Sequence, residues 1–91
     1  MPELISSIPS EPYILLRSIS VKIKRIEDND FLASFEEANI SMSGETEQEA
    51  LQNLIAHILD VFEIFSEEES SLGPEPARQL RVLKQYIKPQ T

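Results

Sequence analysis

The 91 residues contain no cysteine and one histidine, and 16 acidic side chains stand against 8 basic ones, for a formal charge of −8. Disulfides, thiolate metal sites and any site needing two histidines in one chain are therefore excluded. A domain of this sign suits a basic protein partner, whose encounter opposite charge speeds, and direct nucleic-acid binding, which needs clustered Lys and Arg, is not expected. The length fits one small domain with a single core.

The opening Met1-Pro2-Glu3-Leu4 has neither a basic stretch nor a long apolar run, and no run elsewhere is long enough to cross a membrane. A cytoplasmic protein is the expectation. Residues 1–12 hold Pro2, Pro9 and Pro12 with serines between them. Proline withholds an N–H donor and resists regular structure, so this stretch reads as a mobile or loosely docked lead that Ile5 and Ile8 pin to the body or to a neighbouring subunit. A single domain over 13–91 follows.

From Tyr13 to about Glu27 the pattern is that of a strand. Tyr13, Leu15, Ile19, Val21 and Ile23 alternate with Ser18, Ser20, Lys22 and Lys24, which gives one buried and one wet face. So long a straight strand is unusual, and a break near Arg17-Ser18 is expected. Ile14 and Leu16 make the first residues apolar on both faces, the mark of a covered end or of an edge that pairs with another chain. Asp28-Asn29-Asp30 is turn chemistry. Phe31, Ala33 and Phe35 form the second strand of a hairpin, Glu36-Glu37-Ala38-Asn39 turns the chain again, and Ile40 and Met42 make a short third strand ending at Gly44.

The strongest signal comes next. Thr46 followed by Glu49 is a capping box, in which the hydroxyl accepts from the third helical N–H and the glutamate reaches back to the cap's own N–H. Glu45, Glu47 and Glu49 favour the positive pole of the helix, and Gly44 offers the backbone freedom of a sharp entry. Leu51, Leu54, Ile55, Ile58, Leu59, Val61, Phe62 and Phe65 fall within an arc of roughly 160°, which predicts a helix to about Phe65 lying on a broad partner such as a sheet. Asn53, His57, Asp60 and Glu63 occupy the wet arc. Ile64 points with them, either partly exposed or in contact with a second subunit or the last helix.

Glu67-Glu68-Glu69 stands at the wrong pole for the helix dipole, and Leu72-Gly73-Pro74 breaks the helix. Pro74 and Pro76 suit the first turn of a second helix. Ala77, Leu80, Leu83 and Ile87 mark its apolar stripe, and Pro89 ends it. Val82 and Tyr86 form a second stripe on the far side. One helix does not bury both of its faces in so small a monomer, so a subunit contact, cover by the N-terminal lead or partial exposure is expected for that stripe.

Phe31-Leu32-Ala33-Ser34-Phe35 after a hairpin turn, then Ile40, then Gly44-Glu45-Thr46-Glu47-Gln48-Glu49-Ala50-Leu51-Gln52-Asn53, resembles the HicB-like antitoxin domain over roughly residues 19–65. Ala33, Phe35, Gly44, Glu45, Thr46, Glu49, Ala50, Leu51 and Asn53 sit on matching positions, and Glu36 stands where the family has proline. The resemblance implies a three-stranded antiparallel sheet packed against a helix, assembly into dimers or larger oligomers, and the silencing of a small basic RNA-cleaving toxin of the HicA type. The C-terminal piece is too short for a helix-turn-helix, so the DNA-binding module that many members carry is not expected here.

Two readings of function follow. One is a non-catalytic antitoxin-like module, without cofactor or metal, that binds a basic ribonuclease. The other is a toxin-free homo-oligomer of the same fold with a structural or regulatory role. An interface, with a partner or with a second copy, is expected to draw on Ile14, Leu16, Ile64, Val82 and Tyr86. His57 between Asn53 and Asp60 reads as a solvated side chain. Glu36 with Glu37, and Glu67 to Glu69, lack the spacing of a calcium loop. Arg78, Arg81, Lys84 and Lys88 read as partners for the chain's own glutamates. No pair of carboxylates sits in a recognisable acid/base frame.

Overall fold

Two periodicities build the molecule, a period of two from Ile19 to Gly44 and a period near 3.6 from Glu47 onward. The computed structural model describes residues 2–5 and 13–89. In it the strands are β1 (Pro2–Ile5), β2 (Tyr13–Leu15), β3 (Ile19–Glu27), β4 (Asp30–Phe35), β5 (Ile40–Gly44) and β6 (Ile87–Pro89). The helices are α1 (Glu47–Glu67) and α2 (Pro74–Lys84). The class is α+β: an antiparallel β3-β4-β5 meander lies under one long amphipathic helix, and a second helix follows near the C-terminus.

The meander is in tight register, with Lys22 opposite Ser34 and Ser34 opposite Ser41, and with Ile23 opposite Ala33 and Ala33 opposite Met42. One face carries Ile19, Val21, Ala33, Phe35 and Ile40, all buried beneath Ala50, Leu54 and Ile58 of α1. The other face carries Ser20, Lys22, Lys24, Ser41 and Ser43, all exposed. Asn29 takes a left-handed backbone (φ 58) in the first turn and Asn39 (φ 56) in the second, where a short 3-10 turn over Glu36–Ala38 closes. Asparagine tolerates that region because its side chain bonds locally.

The sheet has a fourth member. Within the N-terminal lead, β1 runs antiparallel to β3, with Glu3 opposite Val21 and Ile5 opposite Ile19, giving the order β1-β3-β4-β5. Ile8, the other residue expected to pin the lead, lies outside the described residues.

The segment from Tyr13 to Glu27 breaks at Leu16–Ser18, as expected, and its first part leaves the main sheet to pair with β6, Tyr13 opposite Pro89 and Leu15 opposite Ile87. The reading of the C-terminus is corrected: α2 stops at Lys84, a turn spans Gln85 and Tyr86, and a strand follows. Tyr86 is therefore not on the helix at all, and periodicity counted through it misplaces it.

Val82 and Tyr86 are buried, at 9% and 6% exposure, so the chain itself covers the stripe read as a subunit contact. Tyr86 stacks edge-on against Phe35 (5.3 Å between centroids) beneath the Arg17 guanidinium, 4.6 Å above the ring, and its hydroxyl donates to the Glu37 carboxylate. That bond first, and burial second, raise the phenol pKa above its ordinary value. Arg78 Nη1 donates to the Glu37 carbonyl at 3.0 Å and Gln79 Nε2 to the Ala38 carbonyl at 2.9 Å, so α2 is tied to the 3-10 turn by side-chain bonds to backbone.

Candidate protein-binding surface on the long helix

The start of α1 is fastened to the sheet. Thr46 Oγ1 accepts from the Glu49 N–H at 3.0 Å, while Glu49 Oε1 accepts from the N–H of Glu45 at 2.9 Å. The reciprocal bond thus falls one residue before the cap rather than on it. Gly44 is needed for space, not for backbone angle: a Cβ there would lie 2.4 Å from the Ala50 nitrogen. Asn53 Nδ2 donates to the Ser43 carbonyl at 2.9 Å and binds the flank of α1 to β5. Its place in the polar arc gave no sign of that role.

A helix of 21 residues is about 31 Å long, whereas a five-residue strand spans about 17 Å. The far half of α1 therefore runs past β5, and there α2 and the β2–β6 ribbon support it. Phe62 is buried in that support, with the Tyr13 ring edge-on at 5.6 Å. Burial first, then the charges of Glu63, Glu67 and Asp60, hold the Tyr13 phenol above its ordinary pKa.

The opposite side of these turns is bare. Ile64 is 52% exposed, the most exposed of the large apolar side chains among the described residues. Asp60 and Glu68 lie one turn before and one turn after it, Glu67 three residues on, and Glu63 next to it in sequence, all four exposed. No basic side chain forms an ion pair with any of these four among the described residues. On the same flank, His57 and Val61 are half-buried, which places the histidine nearer the body than a solvated reading has it. On the other flank Phe62, Ile87 and Pro89, with Ser66, Glu69, Lys84 and Lys88, line a groove, and the Ser66 hydroxyl is buried with no hydrogen-bond partner among the described residues.

The remaining interface candidates do not join this patch by sequence position. Ile14 (36% exposed) and Leu16 (48%) stand on and beside the β2–β6 ribbon, and Ile26 is open at the end of β3, where alternation gave no reason to single it out. Other charged groups are paired within the chain. Arg78 holds Glu75 through two bonds of 2.9 and 2.7 Å, which lowers the Glu75 pKa. Lys84 meets Glu69 at 2.7 Å and Lys22 meets Glu36 at 3.3 Å. Among the described residues no three His, Asp or Glu side chains gather as a metal site would require, and no helix is long and apolar enough to cross a membrane.

An apolar knob ringed by carboxylates on a helix held rigid at its base can bind a surface that offers a small apolar pocket rimmed by Lys or Arg. No protein-family model, no curated protein and no solved structure matches the chain.

Proposed function

We propose that the chain is a non-catalytic, HicB-like protein-binding module of the cytoplasm, and that it sequesters a small basic ribonuclease toxin of the HicA type through the far half of α1. The observation that carries this reading is Ile64, exposed, with the exposed Asp60, Glu67 and Glu68 one turn away along α1 and Glu63 beside it in sequence. Interfaces draw most of their energy from a few apolar anchors that lose water on binding, while charged rims set partner choice and encounter rate. The net charge of −8 acts in the same direction.

The test is inhibition of RNA cleavage by a purified small basic ribonuclease encoded next to this chain. The native chain suppresses cleavage. Ile64→Asp weakens suppression by tenfold or more, and Glu63→Lys with Glu67→Lys does so with a smaller dependence on salt. Full suppression by both variants overturns the reading. A toxin-free homo-oligomer is the second reading, favoured by the exposed Ile14 and Leu16. A chain that leaves the ribonuclease unaffected yet sediments above 10.4 kDa supports it.

A further inference from the structure

We draw no further inference here: the strongest candidate, the groove between the last turns of α1, the end of α2 and β6, has charges of both signs on its rim, with Lys84 already held by Glu69, and nothing in the structure shows what covers it.

Discussion

The two ends of α1 are held by different physics. The first turn is fixed by neighbours in sequence: Thr46 caps, Glu49 bonds Glu45, Gly44 makes room for Ala50, and Asn53 reaches the adjoining strand. The last turns are fixed by distant segments. Phe62 meets Tyr13 across 49 residues of chain, and α2 is clamped by Tyr86 to a turn equally remote in sequence. The near end is therefore local and stiff, and its stability comes from many small terms. The far end rests on a few long-range contacts, ends in three glutamates at the negative pole of the helix, and displays the one strongly exposed isoleucine of α1. A recognition surface belongs on the second kind of support, where exposed apolar area does not weaken the sheet beneath the first.

Three substitutions break or sharpen this contrast. Tyr86→Ala removes the stacking on Phe35, the cation above the ring and the bond to Glu37 at once. A loss of about 3–5 kcal/mol is expected in denaturant titrations. Hydrogen exchange should show protection falling in α2 and β6 before it falls in β3 and β4; equal loss everywhere makes the two regions one cooperative unit and removes the distinction. Thr46→Ala tests the near end, with an expected cost of about 1 kcal/mol and fraying confined to the first turn. Glu67→Lys has the smallest effect and the opposite sign. A positive charge in the last turn favours the dipole, so stability rises by about 0.3–1 kcal/mol, while affinity for a basic partner falls.

The near end was legible from sequence because each of its signals lies within ten residues of what it acts on. The cap, the Asp28-Asn29-Asp30 turn and the alternation through β3 and β4 all state their own geometry. The β2–β6 ribbon was not legible, since its partners lie more than seventy positions apart and three-residue strands carry no usable period. Tyr86 misled for a related reason: it sits two residues beyond the end of α2, so a helical count assigns it to a face that the chain does not form there. In the surface patch, Ile64 was visible as an apolar residue out of phase with its helix. The orphaned Ser66 hydroxyl and the Asn53 tether became evident only with neighbours from other elements in place.

The overrun of α1 beyond β5 has a mechanical consequence. The helix is a cantilever gripped at Asn53, and a load applied at Ile64 acts through an arm of about 16 Å. The bending moment is borne by the Tyr13–Phe62 and Tyr86–Glu37 braces, so force on this beam slackens the outrigger and leaves the foundation taut.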